Sequence, residues 1–336
     1  MTEPLLRHAG VMKALILGGT GFIGRRIAEL LYERGDEVTV AHRGVSEPLN
    51  WIPIRHIHAD RHELTVQKSA IRSFGPDVVV DANAFTAQDV DAVTSVLPDV
   101  PVVVLSSQDV YQAISAVREG RNDVPVPIDE DSELRRNRYP YRGKGYAGVP
   151  EDYEKIDVEA RWLPRGATVL RLPMVYGPYD DQQREDAILR RVVAGRELIP
   201  VGSGTLLWTR GHVDDVAGAT LAAVDNRAGD GRAINIGERP VFSVFNWYQQ
   251  ILDASGSKAR LVRVDDHKVS EDLSLSRQYR QHMLASVRLA QEILGWSANN
   301  PAERVSQSVR WHLSQNDSQE FDEDAAHKDD EALQAH

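Results

Sequence analysis

The sequence predicts an α/β fold, a doubly wound parallel sheet followed by a smaller C-terminal lobe. Three observations carry this. Short apolar runs alternate with amphipathic helical patterns through the first half of the 336 residues, as in a parallel sheet covered by helices. A glycine-rich turn lies directly between the first run and the first helix. After Leu172 the alternation loses its regularity, which marks a second lobe.

The elements follow in order. "VMKALILGG" is a buried strand, and Phe22–Arg34 is an amphipathic helix behind the glycine turn. "EVTVAHRG" is a second strand stopped by Gly44, "IRHIHAD" a third, and "DVVVDANA" a fourth after the Gly75-Pro76 break. The helix Ala87–Leu97 precedes a fifth strand, "VPVVVLSS", and "ATVLRL" is a sixth. Right-handed crossovers join such strands into one doubly wound sheet. Beyond Leu172, "DAILRRVVAGREL" and "VDDVAGATLAAV" read as helices, "RAINIG" as a returning strand, and "FSVFNWYQQILDAS", "SVRLAQEILGW" and "PAERVSQSVRWHL" as further helices. The charged segment Gln112–Pro150, rich in Pro, Gly and Arg, reads as a long loop, functional or mobile.

Composition narrows the function. The absence of cysteine removes disulfides, thiolate zinc sites and cysteine nucleophiles and points to the cytoplasm. No apolar run approaches a membrane span, and the start lacks the pattern of a signal peptide, so neither membrane nor export is expected. A net charge of −11 argues against a nucleic-acid partner. Much of that charge lies after Ser314, where eight acids face Lys328 alone. This stretch reads as a disordered acidic tail.

"LILGGTGFIGRRIAELL" puts Gly18, Gly21 and Gly24 between strand and helix. The glycines allow a tight turn, close approach of backbone to a pyrophosphate, and close helix–strand packing. The helix N-terminus adds N–H donors and a partial positive charge for phosphate.

With this motif the chain resembles the extended branch of the short-chain dehydrogenase/reductase superfamily, the NAD-dependent epimerase/dehydratase family with its Rossmann domain. "GGTGFIG" is similar to that family's GxxGxxG, "HADRHE" to its GDxxD, "VVVLSSQDVY" to SSxxVY, and "LRLPMVYGPYD" to LRxxxVYGP. "TRGHVDDVAGA", "AINIGE" and "LGW" resemble later signatures, so the likeness runs over about Met12–Leu313. The resemblance implies an NAD(P)-binding Rossmann domain over 12–171 and a mainly substrate-binding lobe over 172–313, with about 207–240 returning to the sheet. Residues 314–336 are left as the tail. It implies cofactor contacts from Gly18, Thr20, Gly21, Phe22, Ile23 and Gly24, and from Asp60 at the adenine with Arg61 beside it. Further contacts are implied from Ala82, Asn83, Ser106 and Lys155, and from Pro173 and Met174 near the nicotinamide. It also implies a homodimer paired through Ala87–Leu97 and Glu151–Leu163.

The choice of dinucleotide rests on the end of the second strand. NAD-preferring members carry an acid there for the ribose hydroxyls. Here the residues are Ala41, His42 and Arg43. Arg43 can face a 2′-phosphate, with Arg25 nearby, which favours NADP over NAD.

Family chemistry pairs a Ser/Thr with a YxxxK tyrosine and lysine on one helix face. Ser107 falls at the serine position, but "PEDYEKIDVEARWL" contains no YxxxK. One register aligns Lys155 and Glu159 and puts Glu151 at the tyrosine position; the other aligns Tyr153 and puts Asp157 at the lysine. On a continuous helix Tyr153 and Lys155 would lie about 200° apart and could not share a face. Tyr153 would instead join a stripe with Ile156, Ala160 and Leu163, so the Lys155 register is preferred. Glu151, or a loop tyrosine among Tyr139, Tyr141 and Tyr146, is then the alternative base.

His56, His58 and His62 form a cluster, and 56 and 58 would share one strand face as metal ligands do. The resemblance implies no metal there, and none is expected. Gln108, Tyr176, Arg184 and Arg210 are candidates for substrate contact, and the basic, aromatic "RRNRYPYRGKGY" for the entrance. The expected function is an NAD(P)-dependent epimerase, dehydratase or reductase acting on a hydroxyl or carbonyl, by default of a nucleotide sugar. The alternative is a catalytically degenerate NAD(P)-binding protein with a regulatory or scaffolding role.

Overall fold

The computed structural model describes residues 10–49, 51–145, 149–226, 229–315 and 321–334. The strands β1 (Lys13–Leu17), β2 (Glu37–His42), β3 (Arg55–His58), β4 (Val78–Asp81), β5 (Val102–Ser107), β6 (Thr168–Leu172) and one distant strand, Ala233–Asn235, form a single sheet. Its order is β3-β2-β1-β4-β5-β6 followed by the distant strand, and every pairing is parallel. The chain therefore winds outward in both directions from β1, and the switch between β1 and β4 opens a crevice at the strands' carboxyl ends.

Both faces of the sheet are covered. The helices α1 (Phe22–Arg34) and Val213–Asp225 bury Ile27, Ala28, Leu31, Val216 and Ala219 against one face. On the other, α2 (Lys68–Phe74), α3 (Ala87–Thr94) and the helix Lys155–Trp162 bury Ile71, Phe74, Val90, Val93, Val158 and Trp162. Burial on both sides explains why these strands read as unbroken apolar runs.

A second core gathers Ile188 and Leu189, Ile199 and Val201, Trp247, Tyr248 and Ile251, and Val305 and Val309. These come from the helices Asp186–Val193, Val244–Ser255 and Pro301–Ser314 and from the strand Leu198–Val201, which pairs with Arg260–Arg263.

Three local expectations are corrected. The segment after Gln112 is not all loop: it opens with α4 (Gln112–Glu119), which ends at Gly120 in the left-handed region, φ 67°. The helix expected over Glu151–Leu163 begins only at Lys155 and is α5 (Lys155–Trp162). Glu154 stops it by turning its carboxylate onto the Ile156 amide while also receiving Arg135 and Arg138. Tyr153 lies in a turn outside the helix, its N–H on the Pro150 carbonyl.

The acidic tail is the third. Residues 323–334 form a helix, and Ala325, Asp329 and Ala332 are buried. Their 4 and 3 spacing makes one helix face, which an average over an acidic stretch conceals. Asp317 and Glu320 of that stretch lie outside the described residues.

Candidate active site

A cleft of about 1210 Å³ opens where the strands β1, β4 and β5 end. The glycine turn forms one wall. A Cβ on Gly24 would stand 2.2 Å from the Gly18 carbonyl oxygen, so only glycine lets α1 start this close to β1. Gly18, at φ 84°, has no room for a Cβ either: it would meet Asn83 at 2.4 Å.

Gly21 is the N-cap of α1, with no side chain capping the helix and no acid in the first turn. The first-turn amides of Phe22, Ile23 and Gly24 therefore face the cleft as donors for an anion. A dinucleotide pyrophosphate fits this cradle of open amides and absent side chains.

Arg43, Asp60, Arg61, Ala82 and Asn83 line the same cleft. Arg43 is exposed and forms no ion pair among the described residues. Thr20 lines it too, its hydroxyl 3.4 Å from Ser46. Asp60 caps the turn that follows by accepting the His62 amide. Arg61 is more tightly committed, its guanidinium held by Asp81 at 2.7 Å and by the Asp89 carbonyl at 2.7 Å. Asp81 is fully buried and also accepts the Trp162 indole N–H. Sequence reading passed over Asp81, whose one signal is a carboxylate ending the apolar run Val78–Val80.

At the far end of the cleft are Ser106, Ser107, Lys155 and Pro173. Ser106 donates to Glu159 at 2.6 Å, and Glu159 is paired with Arg171. Lys155 opens α5, and its ammonium donates to the carbonyls of Ala84 at 2.6 Å and Leu105 at 2.9 Å. It stands 4.9 Å from the Phe85 ring centre. Burial pulls its pKa down to about 8, against the opposing pull of Asp81 and Asp109. The Ser107 hydroxyl accepts the Asp109 amide at 3.1 Å.

The Tyr153 side chain is buried, and its phenol feels the neighbouring Asp109 and Ser107. Burial, and then the Asp109 charge, push it well above the ordinary tyrosine range. Since Tyr153 is not helical, the 200° separation from Lys155 does not apply, and the stripe with Ile156, Ala160 and Leu163 does not form. Its ring packs instead on Phe85 and Tyr141.

Other candidates fall away from the cleft. Glu151 is exposed and holds the Gly143 amide. Tyr141 donates to Asp109 at 3.0 Å, Tyr139 binds Glu154 through its backbone N–H, and Tyr146 lies outside the described residues. Gln108 is buried, its amide on the Ile236 carbonyl at 2.8 Å. Tyr176 and Arg210 are buried around Glu238 in the second lobe. Arg25 pairs with Glu29 and stacks at 3.7 Å on Tyr179. Met174 stands half-buried beside the cleft without lining it. Arg184 does line it, with Nε on the Val175 carbonyl. His62 lines the cleft and pairs with Asp89 at 3.2 Å, and the histidines that do cluster are His42, His56 and His58.

Glycine cradle, uncapped helix end and switch-point cleft together define a dinucleotide-binding α/β protein. The chain belongs to the NAD dependent epimerase/dehydratase family, whose model matches residues 14–125 and 160–237. The matched segments leave out 126–159, which contain Glu151, Tyr153 and Lys155. The chain is 28% identical over 304 residues to the chloroplast stem-loop binding protein of 41 kDa b of Arabidopsis thaliana, covering 84% of this chain and 74% of that one. It is 23% identical over 269 residues to the 2′-dehydrokanamycin reductase of Streptomyces kanamyceticus, covering 78% and 72%. Among solved structures, UDP-glucose 4-epimerase with UDP-glucose from Thermotoga maritima superposes with a TM-score of 0.67 at 19% identity, covering 91% of this chain and all of that one.

Proposed function

We propose that this protein is a cytoplasmic, homodimeric, NADP-preferring reductase that acts on a carbonyl of a small molecule, with a nucleotide sugar as the substrate class. Residues 12–171 hold the dinucleotide and 172–313 mainly the substrate. The nicotinamide supplies the hydride when bound. Ser107 positions the carbonyl oxygen and Lys155 holds the cofactor.

The observation that carries this reading is that Ser107 and Lys155 line the end of the same cleft whose wall is the glycine turn. The Tyr153 phenol, held well above its ordinary pKa, stays protonated at neutral pH. It can give a proton to a developing alkoxide, as a weaker acid than an ordinary tyrosine. The similarity to 2′-dehydrokanamycin reductase supports reduction as the reaction proposed. Arg43 favours the 2′-phosphate of NADP, and no acid stands beside it to bind ribose hydroxyls.

A second reading, a degenerate dinucleotide-binding protein, draws support from the burial of Tyr153 between Phe85 and Tyr141. The Arabidopsis relative is named for binding a stem-loop, but a chain of net charge −11 is poorly suited to a polyanion.

Stopped-flow oxidation of bound NADPH by a panel of keto-sugar nucleotides and simple ketones separates the readings. Turnover that falls about 100-fold or more in Ser107→Ala and Tyr153→Phe, with NADPH still bound, supports the reductase. Bound NADPH that no carbonyl oxidises supports the degenerate protein.

A further inference from the structure

We propose that His42, Glu47, His56 and His58 form a binding site for one zinc-class divalent ion at the edge of the sheet, on the rim of the cofactor cleft. Parallel pairing of β2 with β3 sets His42 opposite His58 and Val40 opposite His56. His56 and His58, two residues apart on a strand, project to the same side. Gly44, in the left-handed region at φ 78°, turns the chain after β2 so that Glu47 returns over the imidazoles.

The four donor atoms, one from each residue, all lie within 4.8 Å of one another. Bonds of about 2.0–2.1 Å in a tetrahedron place neighbouring donors about 3.3 Å apart. Glu47 Oε1 stands 3.5 Å from His42 Nε2 and 3.6 Å from His56 Nδ1, close to that spacing. His42 Nε2 and His56 Nδ1 are 2.8 Å apart, and His58 Nε2 touches the same Glu47 oxygen. Small rotations about the side-chain torsions open both contacts to admit the ion.

The donor chemistry selects the metal class. Three neutral imidazoles and one carboxylate, with no sulfur, suit Zn²⁺ far better than Mg²⁺ or Ca²⁺, which take oxygen ligands. All three imidazoles stand on the paired strands β2 and β3, and His42 is buried with a side-chain exposure of 5%. Strand-borne ligands are held more rigidly than loop ligands. The Trp51 ring packs edge-on against His56 at 5.8 Å between centres.

In the unloaded arrangement the Gly44 amide donates to His42 Nδ1 at 3.1 Å. Coordination through Nε2 moves the ring proton to Nδ1, and the exposed Gly44 peptide turns away. Only neutral tautomers exchange, so charge and protons balance. The ion would fasten the turn carrying Glu47 to the edge strand.

The test uses the full chain, stripped with a chelator and titrated with ZnSO4, followed by calorimetry and metal analysis after dialysis. One Zn²⁺ per chain is expected. Affinity should fall at least about tenfold in Glu47→Gln and in His58→Ala and stay unchanged in His62→Ala, whose imidazole points to Asp89. Glu47 lies in an exposed turn, so its variant keeps the fold and isolates the ligand effect, and circular dichroism checks this for both variants. A wild-type chain that retains no zinc, or one whose zinc affinity is the same in Glu47→Gln, His58→Ala and His62→Ala, overturns the site. No dinucleotide is needed for the measurement, so its outcome is independent of the proposed catalytic activity.

Discussion

Arg191, in the helix Asp186–Val193, and Asp329, in the acidic C-terminal helix, form a fully buried two-point ion pair. The guanidinium Nε lies 2.6 Å from Oδ2 and NH2 lies 3.0 Å from Oδ1, with both side chains at zero exposure. The same guanidinium also reaches Asp272 and the Ser270 hydroxyl, and its carbon lies 4.9 Å from the Phe321 ring centre. The C-terminal segment is thereby part of the second lobe's packing.

Truncation after Leu313 should therefore destabilise the chain, although the composition of the tail alone suggests it can be removed freely. Removing one partner of a buried ion pair leaves the other charge desolvated, a loss of about 3–5 kcal/mol when nothing else compensates. Asp272 compensates in part here, so Asp329→Ala should cost about 2–3 kcal/mol in urea unfolding. A truncated protein that melts with the full-length one would mean that α-helix 323–334 does not dock in solution.

Arg43 and Arg61, which both line the cleft, separate by their partners. Arg61 is tied to Asp81, whereas Arg43 is exposed on the cleft without an ion pair among the described residues. Arg43→Ala should weaken NADPH about tenfold or more and leave NADH nearly unchanged, the signature of a lost contact to the 2′-phosphate. Fluorescence titration with both nucleotides checks it. Equal losses for the two would assign Arg43 to the pyrophosphate, and no loss for either would leave it without a contact to the nucleotide.

What sequence alone made visible follows from the range of the interactions. The helix Phe22–Arg34 was readable to the residue because its start is a glycine and its end is Gly35, both local signals. The strands were readable because burial on two faces leaves an unbroken apolar run. The start of α5 was not, because Glu154 is recruited as the cap by Arg135 and Arg138, from a loop 16 to 19 residues earlier. The imidazole cluster was misassigned for a similar reason. His42 joins His56 and His58 only through the register of β2 on β3, and that pairing is written in no single segment.

A homodimer paired through α3 and α5 makes a further expectation. Arg161 and Asp91 bridge these two helices at 3.1 Å and are both exposed, so the face they share is polar in the single chain. Light scattering at micromolar concentration should give twice the chain mass, and a double substitution Asp91→Lys, Arg161→Glu should leave the dimer intact if the pair is only a local bridge. A monomer in the unaltered protein excludes this interface.

The proposed role of Lys155 predicts a pH dependence of cofactor binding with a definite sign. Burial lowers its pKa to about 8, so the ammonium is half lost at pH 8 and disappears as pH rises through that value. For folding this shift acts in one direction. The folded chain binds fewer protons than the unfolded one between about pH 8 and the ordinary lysine value, so stability rises with pH across that window. Cofactor affinity should move the opposite way. If the ammonium holds the dinucleotide, NADPH affinity is highest near pH 6.5 and declines through pH 8 as the charge disappears. Lys155→Ala should lower affinity by about 1–3 kcal/mol at neutral pH, the loss of a charged hydrogen bond, and should flatten the profile. Titration of NADPH binding across pH 6.5–9.5 in both proteins measures the two effects together. A wild-type profile that stays level through pH 9, or an alanine variant that declines in parallel with it, would remove Lys155 from the cofactor site and leave it as a buried clasp on the Ala84 and Leu105 carbonyls.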